Sequence, residues 1–308
     1  MNTFIITPVY EDLDSLSILL DEIKSSYGNT YQMIIIDDGS EINKITADIL
    51  SARGLKGDIL SLKRNVGHQQ AICVGLQHFL DKKESTDYAV VMDCDGEDNP
   101  QNIVNLIGSL DENSCDVVVA SRKKRNESLV FRSFYKIYKI FFSLLTGRNI
   151  DFGNFFAIRR EGVEKLIEYP EVSMHIAGTL LRSKIPLSYL PLDRASRYSG
   201  QSKMNFQSLI LHGFKAFMVF AEDSLVRVGS FCAFIVFLIA LLASTIFSLK
   251  LIGLSSPGWF SISLGILTLI LIQTGTLTLM MLMLTGVVKS NEKVKKFDRL
   301  IRSIDSHQ

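Results

Sequence analysis

Apolar and polar positions alternate in blocks along the first 120 residues. Thr3–Val9 is a short apolar run with Pro8 near its end, and it predicts a buried strand. Leu13, Leu16, Leu19, Leu20 and Ile23 recur at helical spacing, so Leu13–Ile23 predicts a helix. Met33–Ile36 predicts a strand that ends at Asp37-Asp38-Gly39-Ser40, and Ile42–Leu50 a helix. Ile59–Leu62 reads as a third strand, Gln69–Leu80 as a helix, and Tyr88–Met92 as a fourth strand ending at Asp93. Ile103–Leu110 then predicts a helix and Val117–Ala120 a fifth strand. This alternation predicts an α/β fold with a mostly parallel sheet flanked by helices on both faces. In such sheets a ligand lies beyond the carboxyl ends of the strands. The polar clusters Pro8–Asp12, Asp37–Ser40 and Asp93–Asp98 each follow a strand, which marks the place for a nucleotide.

The pattern changes from Ser121 onward. Arg122, Lys123, Lys124 and Arg125 form a basic cluster, and Phe131–Leu145 predicts a helix carrying Arg132, Lys136 and Lys139 about one turn apart. Asn205–Val226 is amphipathic, with Phe206, Leu209, Ile210, Phe214, Phe217 and Met218. Both segments are candidate interfacial helices, the rival being ordinary helices packed on the domain. Beyond them, Val228–Leu249 is 22 residues without a charge and Leu251–Val288 is 38, separated only by Lys250. A bilayer core of about 30 Å needs roughly 20 helical residues. Both runs exceed that length, so they predict two membrane spans rather than two buried core helices. The expected boundaries are 1–204 for a cytoplasmic domain and 205–227 for a juxtamembrane helix. Two spans with a short external turn occupy 228–288, and a basic tail 289–308.

Composition narrows the picture. The 308 residues carry 33 Lys+Arg against 32 Asp+Glu, a formal charge of +1, and 47% are apolar. This excludes a disordered chain and argues against nucleic acid as a partner. The charges are unevenly placed, however. Arg227 precedes the first span, and Lys289, Lys293, Lys295, Lys296, Arg299 and Arg302 follow the second. Only Lys250 lies near the turn at Ser255-Ser256-Pro257-Gly258. The positive-inside rule then puts both basic ends in the cytoplasm and the turn outside. MNTFIITPVY lacks the basic start and long apolar run of a signal peptide, so the soluble part is expected to stay in the cytoplasm. The four cysteines, Cys73, Cys94, Cys115 and Cys232, form no C-x-x-C pair and read as reduced apolar residues.

Two patterns carry chemistry. Asp93-Cys94-Asp95 leaves a buried strand and is followed by Glu97 and Asp98. Two carboxylates at i and i+2 can turn towards one hard cation, Mg²⁺ or Mn²⁺, which typically shares its oxygen ligands with substrate phosphates. A solvated acidic turn is the simpler alternative, but the strand in front and Asp37-Asp38 at an earlier strand end favour the metal site. The second pattern is RASRYSGQSK at Arg194–Lys203, where Arg197 and Lys203 flank Gly200 and Ser202. A glycine turn between basic groups can wrap phosphate oxygens. It also suits a basic loop beside anionic lipid, and the two readings are compatible.

Together these motifs resemble a family 2 glycosyltransferase of the GT-A fold, in the polyprenyl-phosphate glycosyltransferase branch that includes dolichol-phosphate mannose synthase and bactoprenol glucosyltransferases. The matching runs are TPVYED at Thr7–Asp12, IIIDDGS at Ile34–Ser40, RNVGHQQAICVGL at Arg64–Leu76 and VVMDCDGEDNP at Val90–Pro100. ASRKKR at Ala120–Arg125, DFGNFFAIRRE at Asp151–Glu161 and RYSGQSKM at Arg197–Met204 complete the set. They keep the family order across nearly the whole soluble part.

The resemblance implies that Pro8, Tyr10 and Glu11 line the nucleotide base and ribose and that Asp38 contacts the nucleotide. It implies a metal and diphosphate site at Asp93 and Asp95, with Glu97 beside the metal. Arg122 and Arg132 would hold a lipid phosphate acceptor, and Arg197, Ser202 and Lys203 would close over the phosphates. The implied partners are a nucleotide sugar, UDP- or GDP-linked, polyprenyl phosphate, the plasma membrane and further copies of the chain. Three departures from the family pattern stand out. Glu11 stands where Asn is common, Asn154 where some relatives have Asp, and Glu97-Asp98 makes the metal loop more acidic. An anionic acceptor needs positioning and charge control more than deprotonation, so Asn154 leaves the implied reaction intact.

Overall fold

The computed structural model describes residues 2–82, 86–122, 129–198, 206–253, 258–290 and 300–307. The elements run β1 (Asn2–Val9), α1 (Leu13–Tyr27), β2 (Tyr31–Asp37), α2 (Asp48–Ser51), β3 (Gly57–Leu62), α3 (His68–Asp81) and β4 (Thr86–Val91). They continue α4 (Ile103–Glu112), β5 (Val117–Arg122), α5 (Leu129–Thr146), β6 (Phe152–Arg159), α6 (Arg160–Ile167), α7 (Ile176–Arg182) and β7 (Leu187–Leu192). The last four are α8 (Phe206–Val219), α9 (Ala221–Leu251), α10 (Trp259–Ser290) and β8 (Ile301–His307). The chain forms two compact units. One comprises Met1–Arg132, Ile150–Val219 and Val294–Gln308, the other Ser133–Asn149 and Phe220–Lys293.

The first unit is built on one sheet of order β7-β5-β6-β4-β1-β2-β3-β8. Its core strands are apolar on both faces. Phe4, Ile6, Ile34 and Ile36 pack with Ile72, Leu76 and Phe79 of α3. Ile5, Met33 and Ile35 point the other way, onto Leu16, Leu19 and Leu20 of α1 and Leu106 of α4. Continuous apolar strands are what a sheet covered on both faces requires. The pairs β1–β2, β1–β4, β2–β3 and β5–β7 are parallel. The antiparallel pairs all come from β6 and β8, neither of which the hydrophobic pattern revealed. The carboxyl ends of β1, β2, β4, β5 and β7 therefore share one edge, and antiparallel β6 brings its amino end, Phe152–Asn154, to the same edge.

Two expected helices differ. Ile42–Leu50 forms only the short α2, because the backbone before it is held elsewhere. The carboxylate of Glu11 accepts the N–H groups of Glu41, Ile42 and Asn43 at 2.6, 3.0 and 2.9 Å. Ile42 is left exposed while Ile45 and Leu50 are buried. The helix expected over Asn205–Val226 is two helices, broken at Phe220, whose φ of −107° and ψ of 26° are non-helical. In the first unit, Arg182 Nη1 donates to the carbonyl of Val219 at 2.8 Å and caps the end of α8. Glu222 and Asp223 lie in the first turn of α9, where carboxylates complement the helix dipole.

In the second unit α9 and α10 are long and apolar, and Ala221–Leu251 and Trp259–Met281 are unburied, as candidate membrane spans are. Lys250 sits 4.2 Å from the ring centroid of Phe260, a cation–π contact that accommodates the lone charge between the uncharged runs.

The end of the basic tail is a strand rather than a free extension. β8 pairs antiparallel with β3, placing Ser306 opposite Asp58. Asp58 is buried, 2.6 Å from Nε2 of His78 and ion-paired with Lys82. Burial alone would raise its pKa, but the hydrogen bonds of His78 and Lys82, the charge of Lys82 and a hydrogen bond with Ser306 outweigh it and bring it down to about 2 from an ordinary 3.8. A depressed carboxylate pKa stabilises the fold above the ordinary value and ceases to do so as pH falls through the lowered one. Asp58→Asn is therefore expected to cost about 2 kcal/mol near neutral pH. The gap between wild type and variant should close as pH falls from about 4 towards 2, which urea unfolding across that range checks.

Candidate active site

The acidic turn leaves β4 at the shared edge and folds back on itself. The N–H of Asp93 donates to Asp98 Oδ2 at 3.0 Å, and the N–H of Glu97 donates to Asp95 Oδ1 at 3.0 Å. The segment after β7 is stitched along this turn. Ala195 N–H donates to the carbonyl of Glu97 and Tyr198 N–H to that of Asp95, both at 3.0 Å. Arg197 bridges two carboxylates, with Nη2 2.8 Å from Asp95 Oδ2 and Nε 3.1 Å from Glu97 Oε1. Arg194 pairs with the other oxygen of Glu97. The Tyr198 hydroxyl donates to Glu22 Oε2 of α1 at 2.7 Å and so anchors the segment at its far end.

These contacts set the electrostatics. Burial raises the pKa of Asp95, and the neighbouring Asp93 raises it further, against the opposing charges of Arg197 and Arg194. Burial pushes the Cys94 thiol up, reinforced by Asp93, Asp12 and Asp95, so it stays protonated and does not act as a thiolate. His68, the first residue of α3, places Nε2 3.1 Å from Asp93 Oδ1. Desolvation lowers its pKa, but the charge and hydrogen bond of Asp93, then Asp98 and Asp38, overcome that and leave it raised.

At the ends of β1 and β2, Pro8 is buried and Tyr10 is 45% exposed on the rim. Glu11, at a φ of +49°, has its carboxylate taken up by the 41–43 backbone, and its own N–H donates to Ser40 Oγ at 3.0 Å. Asp38 is buried and accepts the N–H groups of Val66 and Gly67 at 2.7 and 3.0 Å. Burial raises its pKa despite those two donors. Glu11 and Asp38 thus brace the loops that frame this end of the edge.

Asp93, Asp95, Glu97 and Arg197 lie together at this edge. Glu97, however, is occupied by two arginines rather than turned outward. Among the described residues no three His, Cys, Asp or Glu side chains close on one point. Asp93 and Asp95 still suit a hard cation, because Mg²⁺ or Mn²⁺ takes one or two protein carboxylates and fills its remaining positions with phosphate oxygens and water. Arg122 ends β5 and Arg132 lies in α5; their side chains fall outside the described residues, as do Ser202 and Lys203 entirely.

The family model described as glycosyl transferase family 2 matches residues 4–167, more than half of the chain. The chain belongs to glycosyl transferase family 2. Among curated relatives of this family 2 chain, the undecaprenyl-phosphate 4-deoxy-4-formamido-L-arabinose transferase of Klebsiella pneumoniae (strain 342) is 30% identical over 216 residues, covering 67% of this chain and 63% of that one. The enzyme of the same name from Salmonella paratyphi B is 29% identical over 213 residues, with the same coverage. The match thus spans less than two thirds of these relatives' length. Glucosyl-3-phosphoglycerate synthase from Mycobacterium tuberculosis, solved with Mn²⁺, UDP-glucose and phosphoglyceric acid, superposes with a TM-score of 0.53 at 16% identity, over 72% of this chain and 79% of that one. The family 2 chain therefore has a GT-A-type fold.

Sequence reasoning missed several residues of this family 2 site. His68 sits inside the quoted run Arg64–Leu76, at the start of its helix, yet nothing in its spacing marks it as a partner of Asp93. Arg194 was visible as a basic residue, but its pairing with Glu97 depends on how the segment after β7 folds back. Tyr198 was hidden for the same reason, and Gly96 explains its place. Gly96 has a φ of +89°, and a Cβ there would come within 2.7 Å of the Tyr198 ring. Gly96→Ala is therefore expected to displace Tyr198 and destabilise the fold by about 1–3 kcal/mol. Tyr198→Phe removes only the bond to Glu22 and should cost about 1 kcal/mol. Thermal unfolding of the two variants side by side checks the order.

Proposed function

We propose that the protein is a membrane-bound inverting glycosyltransferase. It moves a hexose from a UDP- or GDP-linked nucleotide sugar to polyprenyl phosphate at the cytoplasmic face of the plasma membrane. The observation that carries this reading is the Asp93–Asp98 turn, with Asp95 and Glu97 bridged by Arg197, at the shared strand edge of a family 2 chain. Relatives named for undecaprenyl-phosphate sugar transfer supply the acceptor class, and a GT-A neighbour holding Mn²⁺ and UDP-glucose supplies the donor class.

The edge orders the reactants. Pro8, Tyr10, Glu11 and Asp38 frame the nucleoside at β1 and β2, the diphosphate lies at the end of β4, and the acceptor approaches from β6 and β5. Asp93 and Asp95 would hold Mg²⁺ or Mn²⁺, which when bound neutralises charge on the donor diphosphate. Arg197 and Lys203 neutralise the departing nucleoside diphosphate, Ser202 donates to it, and Glu97 holds Arg197 and Arg194 beside it. Arg122 and Arg132 bind the acceptor phosphate. A phosphate oxygen forms a bond to the anomeric carbon as the bond from that carbon to the diphosphate oxygen breaks, and the electron pair leaves with the nucleoside diphosphate. The acceptor enters as an anion, so no proton has to be removed, and the single displacement inverts the anomeric carbon.

Residues 1–204 serve as the catalytic domain, 205–227 as the juxtamembrane segment, 228–288 as the paired spans and 289–308 as the cytoplasmic tail. Ile210, Leu211, Phe214 and Met218 expose an apolar surface on α8, which suits a helix lying at the lipid interface. The pairing of β8 with β3 supports an even number of crossings, since it returns the tail to the sheet of the first unit. Self-association into a homo-oligomer completes the reading. The test is incubation of purified full chain with Mn²⁺, a panel of labelled nucleotide sugars and polyprenyl phosphate. A mild-acid-labile sugar phosphate lipid is expected from the wild type. Asp95→Ala should lower its formation by about a thousandfold or more in a variant that still unfolds cooperatively. No transfer from any common nucleotide sugar would overturn the assignment.

A further inference from the structure

Gln69 and Asn154 form a pair of side-chain amides whose orientation is set by the backbone. Gln69 is buried at the start of α3, and its Oε1 accepts the N–H of Ile176, which opens α7, at 2.7 Å. A backbone N–H is always a donor, so the Gln69 atom facing it is oxygen. The Gln69 nitrogen, Nε2, therefore faces Asn154 at 3.0 Å, and the Asn154 atom that receives it is Oδ1. One backbone N–H thereby orients two amides in series. The free end of Asn154 is Nδ2, which offers two N–H donors and has no hydrogen-bond partner among the described residues.

The position of this donor is specific. β6 runs antiparallel to β4 with Val91 opposite Phe156, and the same register carried two residues further sets Asn154 beside Asp93. On its other side, Val119 and Ser121 of β5 pair with Phe156 and Phe152 and bracket Asn154. Asn154 thus lies between the acidic turn and the strand end where the basic segment begins, on the side of β4 away from Glu11 and Asp38. A carboxylate here would add a negative charge beside Asp93 and repel an incoming phosphate. A carboxamide held by Gln69 supplies hydrogen without charge, and it cannot serve as a base.

We propose that Asn154 is a specificity-determining contact for an anionic acceptor, donating from Nδ2 to a phosphate oxygen of the prenyl phosphate in the orientation set by Gln69. This rests on the transfer proposed above and sharpens it. The residue favours an acceptor that arrives deprotonated over a hydroxyl that must lose a proton. No proton moves at Asn154.

The test uses the full chain in detergent, with Mn²⁺ and nucleoside diphosphate present, and follows geranyl phosphate binding by calorimetry together with the acceptor KM for polyprenyl phosphate. Asn154→Asp is expected to weaken both by roughly tenfold or more, and to change nucleoside diphosphate affinity by much less. Asn154→Ala, which loses the donor without adding charge, should weaken both by a few-fold, and Gln69→Leu should move them in the same direction. Should Asn154→Asp fail to fold, Asn154→Ala and Gln69→Leu decide. Wild-type affinity and KM in the folded variants would overturn the proposal. So would an Asn154→Asp enzyme that keeps its prenyl phosphate affinity and gains transfer to a hydroxyl acceptor. Failure of the wild type to bind geranyl phosphate or use polyprenyl phosphate would instead remove the transfer reading on which the proposal rests, and the proposal with it.

Discussion

Four carboxylates within six residues, Asp93, Asp95, Glu97 and Asp98, repel one another, and the strand edge is organised around holding them together. Like charges at this spacing raise one another's pKa unless cations or N–H donors face them. Asp98 and Asp95 are turned inward onto backbone N–H groups, Arg197 bridges Asp95 and Glu97, Arg194 covers Glu97, and His68 faces Asp93. The cations come from elements distant in sequence. The paired form of the acidic turn therefore depends on the chain beyond β7 folding back along it, with β7 paired to β5. Local acidity is thereby converted into long-range order.

The same logic runs through the loops beside it. Glu11 and Asp38 each use a carboxylate to gather successive backbone N–H groups of a neighbouring loop. Such loops lack the internal hydrogen bonds of helices and strands, so an acceptor from outside is what keeps their donors satisfied. An acidic residue at Glu11, where Asn is common among the proteins this chain resembles, offers two acceptor oxygens and reaches three N–H groups.

Sequence legibility followed the range of the interactions. The strands β1 to β5 and the helices α1, α3 and α4 were readable because each declares itself by local apolar spacing. α2 was overread, since Ile42, Ile45, Ile49 and Leu50 have helical spacing but Glu11 takes the N–H groups that would start the helix. β6 was invisible as a strand despite Phe152, Phe155 and Phe156, because its antiparallel insertion between β4 and β5 is a tertiary event. The acidic turn and Arg197 were readable as charge patterns. His68, Gln69 and Tyr198 were not, since each matters through one partner far along the chain.

β8 shows how much a tail can carry. Residues 300–307 lie beyond two long apolar helices, yet Ile301–His307 adds to the edge of β3 and places Ser306 opposite the buried Asp58. An exposed sheet edge invites pairing with other chains, and β8 blunts that edge while bringing its own charged residues, Arg302 and Asp305, to the rim. The pairing also ties the tail to the sheet near a buried charge. Asp58 is held by His78 and Lys82, at and just beyond the end of α3, so β8 packs on a buried charge cluster. If α9 and α10 cross a bilayer, a strand returning to the same sheet requires that they cross as a pair. A single crossing would leave β8 on the far side from β3.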